Sequence, residues 1–227
     1  MQQSLNQPKL LVFDVNETLL DLQKLQQAIQ NSFQDQHAFK IWFSTLLQYA
    51  MVESITSQHH SFAEIGKATL RMTAEKLGKH ISDDSIASTI SLITQLPPHP
   101  DVKNALAKFE SNNFRIVALT NGSTDTVKKQ MDYAQISEYF ERLFSVEEVQ
   151  SYKPQAKAYE YVLSELNIKA KDAMLIAAHP WDLAGGKAVG MQTAFIERPT
   201  QVYYPLLQAA NYMVQDLQEL FEVLNKR

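Results

Sequence analysis

Four short apolar runs, each ending abruptly in a polar cluster, constrain this chain more than any other feature. Leu10-Leu11-Val12-Phe13 ends at Asp14. Arg115 to Leu119 ends in Thr120-Asn121-Gly122-Ser123. Ala173 to Ala178 ends in His179-Pro180-Trp181-Asp182, and Gln192 to Ile196 in Glu197-Arg198-Pro199. Continuous apolar runs of this length fit strands buried on both faces, as in a parallel sheet. Leu143-Phe144-Ser145-Val146 is a shorter strand candidate. Helical patterns lie between them. Asp101 to Ser111 places Val102, Ala105, Leu106 and Phe109 on one face, and Ala156 to Leu166 does the same with Tyr159, Val162, Leu163 and Leu166. Leu183 to Val189 is small and Gly-containing, as a helix packed closely on a sheet would be. Strand and helix thus alternate from about residue 100 onward. The expected fold class is α/β, a doubly wound and mostly parallel sheet, with its sites beyond the carboxyl ends of the strands.

The stretch from about Leu22 to Leu96 differs. It lacks strand-like runs, and its apolar positions (Leu25, Ile29, Phe33, Trp42, Leu46, Ile65, Leu70) follow helical spacing. Pro97-Pro98-His99-Pro100 closes it with residues that cannot continue a helix. The expected division is an α/β core made of 1–22 and 97–227, with a helical cap of 23–96 inserted after the first strand. The tail from Tyr203 should hold a short strand near Met213 and a final helix.

Composition narrows the function. A net charge of -4 over 227 residues argues against nucleic acid as a partner, because a phosphate backbone calls for a basic surface. With no cysteine, a Cys nucleophile, a zinc thiolate and a disulfide are excluded. No apolar run approaches the ~20 residues of a membrane span, and the first residues do not read as a leader. The expectation is a cytoplasmic protein with a small-molecule substrate and no membrane partner.

The polar clusters at the strand exits carry the chemistry. Asp14 can be exposed at a strand end while its backbone is anchored in the sheet. It can equally cap a turn. Thr120 and Asn121 offer a hydroxyl and an amide to an anion or a carboxylate, or simply shape an Asn-Gly turn. Lys153, just before Pro154, would keep a neighbouring Asp14 ionised. Asp182 could orient a water or cap a helix. Each signal alone is weak. Asp, Thr, Lys and Asp in this order, each at a strand exit of one core, form a strong joint signal.

That order resembles the haloacid dehalogenase superfamily, most closely its 2-haloacid dehalogenase branch. The matching stretches are FDVNETLLDL (13–22), ALTNGS (118–123), SYKPQAKAY (151–159) and AAHPWDLAGGKAVGM (177–191). The resemblance implies a Rossmann-like core with a helical cap. Asp14 would be the nucleophile and Thr18 its support. Thr120 and Asn121 would bind nucleophile and substrate anion, Lys153 would pair with the nucleophilic carboxylate, Tyr159 would lie near the site, and Asp182 would position the hydrolytic water. Relatives often dimerise, so a homodimer is expected.

Most of the superfamily transfers phosphoryl groups, and two positions argue against that here. Such phosphatases carry a second Asp two residues after the nucleophile as general acid. This chain has Asn16, which has no proton to give near pH 7. They also use a Gly-Asp pair to help hold Mg²⁺, where this chain has Ala177-Ala178. A halide leaves without a proton and without a phosphate charge. The reading is therefore displacement of halide from carbon by Asp14, through an aspartyl ester. Water oriented by Asp182, with help from His179, would then attack that ester. No cofactor is expected; Mg²⁺ enters only under the alternative of a phosphatase with a degenerate site. A non-catalytic relative of the fold is the remaining alternative. One departure from the branch concerns the substrate. Where the resemblance implies a cap Arg, the nearest position is Phe43, and no Arg occurs between residues 1 and 70.

Overall fold

The structure is a computed structural model that describes residues 6–226. Its centre is one six-stranded sheet of β1 (Leu10–Phe13), β2 (Arg115–Thr120), β3 (Arg142–Ser145), β4 (Ala173–Ala177), β5 (Gln192–Ile196) and β6 (Tyr212–Val214). The strand order is β3-β2-β1-β4-β5-β6, and every pairing is parallel rather than mostly so. Strands β1, β4 and β5 are buried along their whole length, as the unbroken apolar character of β1 and β4 requires.

The chain builds outward from β1 to one edge through β2 and β3, then crosses back to add β4, β5 and β6 on the other side. The order therefore reverses at β1, and this switch point opens a crevice at the carboxyl ends. Register sharpens the placement. Phe13 lies opposite Ala118 on one side and Ile176 on the other. The Asp14 N–H still donates to the Ile176 carbonyl (3.0 Å), so the sheet fixes the residue's backbone.

Between β1 and β2 come α1 (Gln23–Phe33), α2 (Ala38–Thr56), α3 (Phe62–Lys76) and α4 (Asp83–Ser91). The segment contains no strand, as its periodicity implied. A capping box starts α3, in which the Ser61 hydroxyl and the Glu64 carboxylate each satisfy the other's backbone N–H. Two chain segments connect these helices to the sheet, and they run side by side. Asp21 N–H donates to Pro97 O (2.8 Å) and His99 N–H to Leu19 O (2.9 Å).

The remaining helices are α5 (Val102–Ser111), α6 (Thr124–Ala134), α7 (Ala156–Glu165), α8 (Pro180–Ala188) and α9 (Leu217–Asn225). Two of them differ from expectation. Helix α6 went unrecognised because its buried face holds Val127 and Met131 but also Gln130, which blurs the apolar stripe. Helix α8 starts at Pro180, three residues before the expected Leu183. Proline suits a first helical turn, where its missing N–H has no partner to lose. Asp182 therefore belongs to the first turn of α8, not to the loop before it.

Candidate active site

The carboxyl ends of β1, β2 and β4 gather a buried cluster of ionisable groups around Asp14. Lys153 Nζ lies 2.7 Å from Asp14 Oδ1, 2.7 Å from Asp182 Oδ2 and 3.0 Å from the Leu119 carbonyl. All three ammonium hydrogens are thereby used. The other Asp14 oxygen accepts from the Thr18 hydroxyl at 2.7 Å, and Thr18 Oγ1 in turn accepts from Ala178 N–H at 2.9 Å. His179 Nδ1 is 3.1 Å from that same Asp14 oxygen, and its Nε2 is 2.8 Å from Glu17. Asp14, Lys153 and Asp182 are 5%, 1% and 0% exposed, so these ions are screened from water and their pairing decides their charge.

Burial pushes the Asp14 pKa up, but Lys153 and then His179 outweigh it and hold the carboxyl well below its usual range. Burial opposes charge on Lys153 as well, and Asp14 and Asp182 reverse that and raise its pKa. Asp182 goes the other way from Asp14. Burial, with the charge of Asp14, raises its pKa despite Lys153. Of the two aspartates sharing the lysine, Asp14 is the one whose ionised form is favoured more strongly. His179 is raised to about 9, against burial, by its bonds to Asp14 and Glu17. It is therefore an imidazolium at neutral pH. Its ring lies between Trp181 (centroids 5.2 Å apart) and Phe43 (6.4 Å).

Asp14, Thr18, Lys153, Tyr159, His179 and Asp182 thus form one connected network. Tyr159 donates to Asp182 Oδ1 at 2.6 Å. A Cβ on Gly185 would strike the Tyr159 ring, so this glycine makes room for the contact. Asp182 thus accepts from Lys153 on one oxygen and from Tyr159 on the other, fully buried. Thr120 takes up the turn-shaping alternative. Its hydroxyl accepts from Gly122 N–H (3.1 Å) and shapes the turn, while Asn121 Oδ1 accepts from Lys153 N–H (3.0 Å). Asn16 lies beside the cluster, with its side-chain oxygen held by Gln130 Nε2 at 3.0 Å. Phe43 stacks on Phe39 and covers His179. His59 is half-buried and stacked on Tyr152, whereas the neighbouring His60 is exposed.

Two participants were missed. Glu17 adopts φ 61°, the left-handed region that favours glycine, and its side chain holds His179. An acid three residues past a candidate nucleophile was a readable signal. Arg198 forms a bidentate pair with Asp101 and donates to the Thr18 carbonyl at 3.0 Å, which fixes the loop carrying Thr18. Its long sequence separation from Thr18 hid that link.

The model of one hydrolase family, haloacid dehalogenase-like hydrolase, matches residues 8–190, which hold the whole cluster. The chain belongs to the haloacid dehalogenase-like hydrolases. Among curated members it is 26% identical over 206 residues to haloacetate dehalogenase H-2 of Moraxella sp. (strain B), covering 90% of this chain and 92% of that one. It is 24% identical over 216 residues to (S)-2-haloacid dehalogenase H-109 of Pseudomonas putida, covering 94% and 96%. Its fold matches the solved structure of L-2-haloacid dehalogenase from Xanthobacter autotrophicus with a TM-score of 0.89 at 19% identity, covering 96% and 98%. The same enzyme with chloropropionic acid covalently bound matches with a TM-score of 0.88, at the same identity and coverage.

Two cavities flank the cluster of this haloacid dehalogenase-like hydrolase. One of about 310 Å³ reaches His179 and Glu17 and is bounded by Lys40, Phe43, Trp181 and Gln201. Another of about 220 Å³ lies on the side of Asn16 and Gly122. Among the described residues, no helix is long and apolar enough to cross a membrane.

Proposed function

We propose that this protein hydrolyses carbon–halogen bonds of 2-halo carboxylic acids, with Asp14 as nucleophile. The observation that carries the reading is an ionised, almost fully buried Asp14 with no proton donor for a leaving alkoxide at position 16. The relatives named for haloacetate and 2-haloacid dehalogenation support the same chemistry.

An oxygen of Asp14 attacks the carbon bearing the halogen. The new C–O bond forms as the C–X bond breaks, and halide departs with the electron pair. Esterification removes the Asp14 charge, and with it the contribution of that charge to the raised pKa of His179. His179 then gives its proton to solvent through the 310 Å³ cavity. As a neutral imidazole, still held by Glu17, it takes a proton from the water that attacks the ester carbonyl. The acyl–oxygen bond breaks, the departing alkoxide takes the proton of the newly formed Asp14 carboxyl group, and the hydroxy acid leaves with the Asp14 carboxylate and the imidazolium restored. Lys153 stabilises Asp14 before and after, with Asp182 and Tyr159 holding it in place. Asn121 is the group proposed to receive the substrate carboxylate. The four helices of 23–96 act as the cap over this chemistry. The reading includes a cytoplasmic location and a homodimer.

Mg²⁺-dependent phosphoryl transfer fits less well. A metal ion at the second Asp14 oxygen would meet the His179 imidazolium, and Glu17 is already engaged by it. Halide release from chloroacetate and 2-chloropropionate, with and without chelator, tests the proposal. Repeated turnover in ¹⁸O water should label Asp14. A folded protein that releases no halide, yet releases phosphate from p-nitrophenyl phosphate only with Mg²⁺, would overturn it.

A further inference from the structure

We infer that the 220 Å³ cavity beside Asn16 and Gly122 is a subsite for a bulky apolar arm of the substrate, an alkyl chain of several carbons or a phenyl ring. This rests on the haloacid reading and extends it from the reacting carbon to what that carbon carries.

Two lining residues of the cavity are chain neighbours of the proposed nucleophile and of the proposed carboxylate binder. Asn16 is two positions past Asp14, and Gly122 directly follows Asn121. The walls come from the helices between β1 and β2: Leu25, Trp42, Leu46, Phe62 and Ile90, with Ile93 just after them. Polar groups on the lining are largely occupied. The Trp42 indole donates to Gly66 O at 2.9 Å, Glu147 accepts from Thr124 N–H at 3.1 Å, and the Ser61 hydroxyl bonds Glu64. Gln130 Nε2 bridges Asn16 Oδ1 and the Ile93 carbonyl, and so holds the Asn16 side chain against the wall. What remains for an occupant to touch is mostly hydrocarbon. An apolar cavity of roughly 150 Å³ suffices for benzene, so this one holds an arm of about four to six carbons. Haloacetate, with no such arm, would leave it unfilled.

Each methylene moved from water into such a site favours binding about fourfold. Calorimetric titration with unreactive acetate, butyrate and hexanoate reads this without chemistry. Affinity should rise with chain length, at least about tenfold from acetate to hexanoate. Filling the cavity with Ile93→Trp, or with Leu46→Phe should the first variant not fold, should flatten the series. In parallel, kcat/KM for halide release should favour 2-bromohexanoate over 2-bromopropionate, with the ratio collapsing at least tenfold in the filled variant. A flat binding series in the unmodified protein overturns the subsite, as does a rising series that filling leaves unchanged. Failure of halide release across all 2-halo acids tells against the haloacid reading instead, while the binding series still decides whether the cavity takes an apolar arm.

Discussion

Replacing Lys153 by Met removes the one ammonium shared by Asp14 and Asp182 while keeping most of the side-chain volume. Its nitrogen is 2.7 Å from each carboxylate. At an effective dielectric near 20, each contact is about 6 kcal/mol of Coulomb attraction. Desolvation of three buried ions cancels much of that. The expected net loss is about 3–5 kcal/mol, the usual cost of stranding a buried charge. That corresponds to a melting temperature lower by roughly 6–20 °C for a chain of this size. The sign of the pH dependence is more diagnostic. With Lys153 present, the depressed Asp14 pKa contributes stability above the unfolded value, which is lost as pH falls through the folded one. Without it, Asp14 loses the largest cause of its depression and the already raised Asp182 pKa rises further, so the folded variant holds protons more tightly than the folded parent. Acidification from pH 7 to pH 5 should then narrow the gap between variant and parent. Chemical denaturation at several pH values measures this. A loss below about 1 kcal/mol, or a gap that widens on acidification, would refute the pairing argument.

His179→Asn should slow ester hydrolysis by on the order of 10²–10⁴-fold. Intact-mass measurement after mixing with 2-chloropropionate should show a trapped adduct and a burst of halide, whereas unchanged turnover without an adduct tells against the base. The raised His179 pKa also contributes stability that is complete below about 6.5 and disappears as pH rises through about 9, and denaturation curves across that window should follow it in the parent but not in the variant. Glu17→Gly relieves a left-handed backbone by about 1 kcal/mol but frees Nε2, so the His179 pKa read by NMR should fall from about 9 towards its ordinary value. Gly185→Ala forces a methyl group against the Tyr159 ring and should cost about 1–3 kcal/mol, seen as a lower melting temperature.

The sheet and its switch point were legible because parallel strands buried on both faces cannot hide. Leu10–Phe13 and Ala173–Ala177 read as unbroken apolar runs for that physical reason, and Gln192–Ile196 ends in one. The nucleophile and its lysine were legible because strand exits concentrate polar residues. Contacts between exits were not. The sequence shows Asp182 as an acid near a strand end and says nothing of which partners its two oxygens meet. In the fold those partners include Lys153 and Tyr159. Gln130 concealed α6 for a related reason, since a buried amide looks like a surface residue until its partners, Asn16 and the Ile93 carbonyl, are known.

Phe43, His179 and Glu17 are best understood as one linked substitution. The resemblance to 2-haloacid dehalogenases leads one to expect an arginine near position 43, and its loss alone would leave the cluster short of positive charge. The cluster holds three carboxylates, Asp14, Glu17 and Asp182, against the single ammonium of Lys153. His179 supplies the second cation from the opposite wall, and Glu17 keeps it charged. An arginine added at 43 would then face an imidazolium at close range, where like charges oppose one another. A phenyl ring fits there instead. Together with Trp181 it surrounds the cation with aromatic rings, at 6.4 and 5.2 Å between centroids. The left-handed backbone at Glu17 is the conformational cost of bringing its carboxylate to Nε2. On this account the site has moved its second positive charge from the helical segment to the core, where the same group can also serve as base once Asp14 is esterified.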